Sequence, residues 1–423
     1  MVGAETARVR IAWGGTMVRT IAVRFALACA AVAGAPAQAT SYKVLHVFLP
    51  GTGGTGPRGN LALVGRTLFG ITQAGGTSCG SDGCGTVFSI NPSTAAEHVV
   101  HTFGGNGDGV SPSAGLVNVG GTLYGTTFSS DGGTGFGTVY SIDPTTKAEK
   151  ILYAFGSGSD GRDPAADLIY AGGLLYGTTS FGGTGNCGEG CGTIFSLNPT
   201  NGAEHALFSF PGSTGGYPQT GLIDLGGRLF GTTFNGGDTS FKCPSGCGMV
   251  FRLGIKSDDE KLLHSCKYTQ GGAHPEADLI RVANVLYGTT FTGGSSGNGT
   301  VFRLDPGNGA EQAVYSFQGG NDGDGPEASL TYVGDTLYGT TWTGGGAANC
   351  ENGCGTIFAV NLATGNEQVV YRFQGGTDGA RALGGLINLH GTLYGTTYLG
   401  GSAETCGTGF ANEGCGTVFA FTP

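Results

Sequence analysis

Much is scarce or missing in these 423 residues, and each absence narrows what the chain can be. No stretch shows sustained helical periodicity, which leaves helical folds aside. Beyond the first forty residues no apolar run approaches the length a bilayer-spanning helix needs. No Ser-His-Asp spacing, His-Glu-x-x-His pair, phosphate loop or sialidase-type Ser-x-Asp-x-Gly-x-Thr-Trp box is present. Positive charge is also short, with 20 Lys and Arg against 30 Asp and Glu. Such an acidic surface repels phosphate backbones, so nucleic acid is not an expected partner.

What is abundant is glycine, at 87 residues. Without periodicity that content would mark a low-complexity polymer. Aromatics at 10% argue instead for a chain that buries apolar surface, so the glycines need a structural reason.

Residues 1–39 read as an export signal. Arg19 and Arg24 precede the apolar run 25–33, and Ala37-Gln38-Ala39 has the small-x-small form of a cleavage site. Met17 offers an alternative start. Cys29 lies in the run, but Ala26-Leu27-Ala28 makes a poor lipidation box. Removing residues 1–39 takes away Arg8, Arg10, Arg19, Arg24 and Glu5, moving the formal charge from −10 to −13. The expectation is a single domain over 40–423, secreted or periplasmic, monomeric, with no transmembrane segment and no C-terminal anchor.

That domain is repetitive. The leucine opening a Leu-Tyr-Gly-Thr-Thr signature recurs at Leu68, Leu123, Leu175, Leu229, Leu286, Leu337 and Leu393. Each unit holds four short β-type segments. The first is apolar, as in Gly221 to Leu225, and a glycine turn leads to the signature itself, as in Leu229 to Thr233. A long glycine-rich loop precedes the third, as in Gly192 to Leu197, and a turn leads into the fourth, Glu204 to Phe210. β-branched and aromatic residues bounded by Gly, Pro, Asn and Asp mark antiparallel strands. Four strands in such a period make a propeller blade, whereas β-helix coils are shorter and leucine-rich repeats carry a different leucine pattern.

The chain ends decide between ring and rod. The last unit stops after its third segment, Gly416 to Phe419, and the segment Tyr42 to Phe48 matches the six fourth segments. Every strand type then occurs seven times if the first strand completes the last blade. A linear solenoid would need capping repeats instead. The predicted fold is all-β: a seven-bladed β-propeller of four-stranded antiparallel blades, closed by the N-terminal strand.

Ten cysteines fall in pairs in the loops between second and third strands: Cys79 with Cys84, Cys187 with Cys191, Cys243 with Cys247, Cys350 with Cys354, and Cys406 with Cys415. An exported chain favours disulfides. Zinc competes, but pairs spread around a ring cannot converge into one tetrahedral site. Cys266 occupies a column otherwise held by phenylalanine and reads as a buried free thiol.

Antiparallel connectivity puts the second-to-third loops and the blade-to-blade loops on one face, where recognition is expected. After each signature come Gln73, Phe128, Ser180, Phe234, Phe291, Trp342 and Tyr398, whose aromatics serve either blade packing or stacking on a ligand. Asp108, Asp160, Asp322, Asp324 and Asp378 in the blade-to-blade loops suit turns, or else calcium, the one cofactor considered. Histidines 46, 101 and 264 share a strand column with Tyr153, Phe208, Tyr315 and Tyr371 and read as half-buried strand residues. The fourth position of the first strand varies most (Leu63, Asn118, Tyr170, Asp224, Arg281, Tyr332, Asn388). Asp224 and Arg281 either pair with each other or line a ligand-gripping channel mouth. No residue stands out as catalytic.

The recurrent Leu-Tyr-Gly-Thr-Thr, Gly-Gly and Gly-Thr-Val-Phe pattern resembles the bacterial GloVer tandem repeat of exported proteins, over essentially all of 42–423. Ile71 replaces the first Thr in repeat one, and Met249 replaces a Thr in repeat four. The resemblance implies export and a propeller-like repeat, and implies no established activity. Three functions stay open: a non-catalytic module binding glycan or protein through the long-loop face, a carbohydrate lyase or hydrolase at the channel mouth, or a structural surface protein. Converging carboxylates at a mouth would mark the enzyme, coplanar exposed aromatics the glycan binder, and neither the scaffold.

Overall fold

The signature packs because its glycine leaves room for a ring. In every blade that glycine lies opposite an aromatic of the third strand: Gly70 faces Phe88, and Gly125 faces Tyr140. A Cβ on Gly70 would stand 2.5 Å from the Phe88 ring and 2.7 Å from Leu61 of the inner strand. Gly177, Gly231, Gly288, Gly339 and Gly395 meet Phe195, Phe251, Phe302, Phe358 and Phe419 in the same way. The signature leucines are fully buried and the strand is covered on both faces. Burial on both faces explains why it reads as a continuous apolar run rather than an alternating one.

The computed structural model describes residues 41–51, 53–77, 79, 83–104, 107–130, 135–156, 158–212, 215–256, 260–401, 406 and 414–423. The export signal expected at 1–39 lies outside them. The described chain is a seven-bladed β-propeller of mainly four-stranded antiparallel sheets. One blade runs, from inside out, Ile169–Ala171, Leu174–Thr179, Thr193–Leu197 and Glu204–Ser209. Two two-stranded ribbons extend the loops, Gly161–Arg162 with Phe181–Gly182 and Gly323–Asp324 with Thr343–Gly344. Six of the seven inner strands are shorter than the sequence pattern suggests, Thr55–Val64 being longer; only Ile223–Asp224 pairs where Gly221 to Leu225 is expected. The reason is that Gly221 spends its amide on a side chain in the channel.

The ring closes as its ends require. Ser41–Val47 pairs antiparallel with Thr417–Thr422, matching Lys43 with Ala420 and Val44 with Phe419. The Phe48 amide adds a bond to the Gly416 carbonyl at 3.0 Å. Tyr42 anchors this strand: its ring stacks on Tyr371 of the preceding blade at 4.0 Å, and its hydroxyl donates to the Asp378 carbonyl at 2.7 Å.

Blades adhere through one repeated aromatic contact. The last residue of each outer-strand segment sets its ring edge-on against the third-strand aromatic of the next blade. The pairs are Phe48 with Phe88, Phe103 with Tyr140, Phe155 with Phe195, Phe210 with Phe251, Phe317 with Phe358 and Phe373 with Phe419, at 4.9–5.5 Å. Cys266 holds the remaining place, buried and free, with its thiol pushed up to about 12 by burial and by the charges of Glu311 and Asp238. All five cysteine pairs are disulfides. Each closes a small loop and is worth roughly 2 kcal/mol in the chain-entropy model.

Threonines stitch the second strand to the third. Thr179 Oγ1 and Thr193 Oγ1 lie 2.8 Å apart, and five other blades repeat the pair. Met249 breaks the pattern, and Thr233 keeps only its bond to the Asn235 carbonyl, the i+2 bond that the other blades make as well.

Five glutamates that open outer strands, Glu97, Glu149, Glu204, Glu311 and Glu367, sit beside the outer-strand His or Tyr of the preceding blade. His264 Nε2 lies 3.6 Å from Glu311 and His46 Nε2 3.9 Å from Glu97. Burial pushes Glu149, Glu204, Glu311 and Glu367 up to about 7. Folding therefore favours their protonated form, a contribution complete below about pH 4.5 and lost as the pH rises through 7. Burial lowers His46 and His264, so their contribution runs the other way, being present above about 6.5 and lost in acid. Between pH 6.5 and 8 the carboxyls dominate. Thermal melts by circular dichroism are expected to show Tm falling across that interval, and falling less in Glu367→Gln. A flat or rising profile would contradict this reading of the belt.

Candidate functional site

The approach to each inner strand runs from the long-loop face down the channel. Its first notable position lies twelve residues before the signature leucine. Here Gly56, Ser111, Asp163, Tyr217, His274, Gly325 and Arg381 all have φ between 55° and 64°. The left-handed turn lets this residue bridge two blades. His274, for example, accepts at its carbonyl from the Phe291 amide of its own blade and donates its amide to Cys247 of the preceding one, at 2.9 and 2.8 Å. Glycine satisfies that geometry in two blades. Five others hold side chains in a conformation that costs of order 1 kcal/mol or more.

Those side chains pack on the residues that follow the signature. The His274 ring stacks on Phe234 at 4.4 Å, and its Nδ1–H donates to the Phe234 carbonyl at 3.0 Å. The Arg381 guanidinium lies 4.9 Å over Trp342. Where Ser180 offers no ring, Tyr217 contributes one, edge-on to Phe181 at 5.2 Å. Gly56 and Gly325 leave space for the rings of Tyr398 and Phe291. Trp342 and Tyr398 are neighbours, with centroids 6.3 Å apart and planes at 46°, and Tyr398 Oη donates to Gln73 Oε1 at 3.1 Å. Phe128, Phe234, Phe291, Trp342 and Tyr398 are all half-buried, and Ser180 is buried. The column is a tilted wall, partly packed between blades, rather than a set of coplanar platforms.

Two turns of the chain deeper, the channel narrows onto a polar floor. Eight residues before the signature leucine stand Asn60, Gly115, Asp167, Gly221, Asp278, Ser329 and Gly385. Asn60 Nδ2 donates to Asp167 at 2.6 Å and to Asp278 at 3.3 Å. Each of these side chains also accepts an amide from the glycine one blade back: Gly385 to Asn60 at 2.8 Å, Gly115 to Asp167 at 2.5 Å and Gly221 to Asp278 at 2.5 Å. A Cβ on Gly385 would come 2.3 Å from Asn60 Oδ1, so these glycines exist to let the side chains cross. Burial raises both aspartates. Their mutual charge adds to the rise at Asp167, while the amide donors oppose it in each.

Above the floor, ten residues before the leucine, lie Arg58, Ser113, Ala165, Gln219, Glu276, Glu327 and Leu383, which with the floor residues line a cavity of about 120 Å³. Burial raises Glu276, helped by the charge of Glu327, and raises Glu327 against the opposing charges of Arg58 and Arg381.

The other sequence candidates lie apart from this site. Asp224 and Arg281 sit at the opposite, short-turn end, where Asp224 accepts the Gly227 amide at 2.8 Å and Arg281 donates to Ala283 and Asn284. Asp108, Asp160, Asp322 and Asp378 are spread over separate blade junctions. Each accepts a backbone amide four residues back, and the last three also a tyrosine hydroxyl from Tyr153, Tyr315 or Tyr371. Asp108 meets His101 at 3.2 Å, and Asp324 accepts from Thr343 at 3.1 Å. Among the described residues, no group of three or more His, Cys, Asp or Glu is placed to hold a metal ion. Sequence reasoning missed Arg58, Asn60, Asp167, Glu276, Asp278 and Glu327. Both columns mix charge, amide and glycine where a pure packing column would be uniform, but only the fold shows that they converge on one axis.

Among the described residues, Asn60 is the one side chain that bonds both floor aspartates. Asn60→Ala is expected to lower the unfolding free energy by about 2 kcal/mol, the scale of stranding buried acceptors. Asn60→Asp adds a third carboxylate, so it should cost more at pH 8 than at pH 6. Urea unfolding followed by circular dichroism checks both; an unchanged midpoint in Asn60→Ala would refute the floor's role.

The family model described as the Gloeobacter/Verrucomicrobia repeat matches residues 32–191, 188–351 and 237–423. No curated protein matches. Among solved structures, the extracellular domain of a putative hybrid two-component system from B. thetaiotaomicron is similar at TM-score 0.54 and 10% identity, over 88% of this chain and 39% of that one. An oligogalacturonate lyase from Vibrio parahaemolyticus is similar at TM-score 0.50 and 9% identity, over 90% and 93% of the two chains. At such identities the likeness concerns the fold alone.

Proposed function

The chain belongs to the Gloeobacter/Verrucomicrobia repeat family, and on that premise we propose an exported binding module that holds a glycan at the long-loop mouth of its channel. Export rests on the signal-like residues 1–39 and on five disulfides, which persist in oxidising compartments. The observation that carries the glycan reading is the mouth between the sixth, seventh and first blades. Trp342 and Tyr398 stand side by side, Tyr398 within reach of the Arg58 charge, and Arg58 with Glu276 and Glu327 lines the cavity. Aromatic faces take the apolar face of a sugar, and charged donors and acceptors take its hydroxyls. Side chains kept in left-handed backbone at this rim, where glycine would serve the fold, point the same way.

A second reading has one specific observation in its favour. Glu276 and Glu327 converge at this mouth, the arrangement a glycan-cleaving enzyme requires, and burial holds both in the range of a general acid. Product analysis separates the two: a lyase or hydrolase shortens the bound glycan, and Glu327→Gln then stops turnover while binding persists.

A glycan array with and without calcium is the direct test. A hit is expected that loses at least tenfold in affinity in Trp342→Ala, about 1.4 kcal/mol. Hits unaffected by Trp342→Ala would sink the wall, and a protein ligand with no glycan hit would replace the ligand class.

A further inference from the structure

The floor and the rim of the channel differ in one respect that bears on the ligand. Asp167 and Asp278 are satisfied by glycine amides and by Asn60, with Ser329 beside Asp278. They form a closed, structural layer. Glu276 and Glu327, one layer up, line the cavity and receive no hydrogen bond from any described residue, although Glu327 is deeply enclosed by protein. The Arg58 guanidinium likewise makes no hydrogen bond or ion pair with a described residue, and its charge reaches both glutamates only across space. Charged side chains that ring a cavity without touching one another leave a polar gap to be filled.

The gap has a size and a sign. About 120 Å³ is well below the roughly 300–1,000 Å³ of a pocket for a whole small molecule, so it is room for a functional group rather than for a large ligand. Its lining carries four carboxyls, Asp167, Glu276, Asp278 and Glu327, against the single guanidinium of Arg58, with Arg381 outside on Trp342. A ligand carboxylate would add a fifth acid to that set. A divalent cation such as calcium wants six or more oxygen ligands, and the floor oxygens are already engaged by amide donors. An ammonium group carries three donors and one positive charge, which suits two carboxylates lacking donors and an aromatic wall able to receive a cation.

We propose that this cavity receives the ammonium group of an amino sugar, held by Glu276 and Glu327 while the ring of the same sugar rests on Trp342 and Tyr398. The inference rests on the glycan reading for its carrier but not for its charge chemistry. Burial raises both glutamates, with the charge of Glu327 adding to the rise at Glu276, so an arriving ammonium favours their ionised forms and the displaced protons go to solvent. Arg58 and Arg381 oppose this from the cationic side, and Asp167 and Asp278 support it from below.

Calorimetric titration of the full chain at pH 7 tests it, run in two buffers of different ionisation enthalpy so that protons are counted. Four probes suffice: a glucosamine tetramer, an N-acetylglucosamine tetramer, a neutral glucose tetramer and ethylammonium chloride. The glucosamine tetramer is expected to bind at least tenfold tighter than the other two sugars and to release protons. Glu276→Gln/Glu327→Gln should abolish both the preference and the release while Tm is kept or raised, since two buried carboxylates are gone. Ethylammonium binding with proton release but no sugar binding would leave the ammonium site standing and remove the glycan reading. Equal binding of all three sugars without proton release would do the reverse. A preference for the acetylated or neutral sugar, competition by calcium, or silence from every probe would overturn the proposal.

Discussion

The ring rests on an aromatic side chain lying over a glycine. In each blade the third-strand ring fits against the signature glycine, and in six of the seven junctions a phenylalanine from the neighbouring blade meets that ring edge-on. Such pairs add roughly 0.5–1.5 kcal/mol beyond burial, and their geometry sets how closely blades approach. Repetition turns a local fit into a global one. Because the same contact recurs at six of the seven junctions, each blade meets its neighbour in nearly the same way, and seven of them come full circle. The junction occupied by Cys266 shows the tolerance of the scheme: a smaller apolar side chain there is still buried, next to the Cys243–Cys247 disulfide.

Closure follows from the way the chain is cut. The outer strand of the last blade comes from the other end of the sequence, so the final junction is secured by backbone hydrogen bonds as well as by packing. Tyr42 and Phe48 make contacts to both flanking blades, which ties the first residues of the domain into two cores at once. A strand left free at that point would expose an unpaired edge.

The architecture was legible in the residues because repetition averages away local ambiguity. One copy of Leu-Tyr-Gly-Thr-Thr is a short apolar run; seven copies with a displaced fourth strand admit only a ring. The disulfides and the buried Cys266 were legible for the same reason, as deviations within aligned columns. The site was legible only in part. Trp342 and Tyr398 could be singled out as adjacent aromatics, but the channel residues could not. Variability within the repeat singles out the fourth residue of the inner strand, represented by Asp224 and Arg281, whereas the mouth is built by residues eight and ten before the signature leucine. Their importance comes from convergence around an axis, which no linear pattern displays. The loop aspartates illustrate the opposite limit. Asp-Gly pairs suggested calcium or turns, and the structure shows Asp160, Asp322 and Asp378 engaged by backbone amides and by tyrosine hydroxyls seven residues earlier in the chain.

Function on this scaffold is a matter of broken symmetry. Columns that keep one residue type hold blades together, and columns that mix types face the axis. The mixture is concentrated from the fifth blade to the first, where acids, arginines and the Trp342–Tyr398 wall meet. All of that geometry depends on the first strand lying in register beside the last. Cysteines placed at Lys43 and Ala420, which are directly opposed, test this most directly. The account predicts that the pair Lys43→Cys/Ala420→Cys oxidises spontaneously to a disulfide joining the two ends of the domain, and that Lys43→Cys/Thr422→Cys does not. Failure of the opposed pair to cross-link in the folded protein, or equal cross-linking of both pairs, would contradict the closed ring.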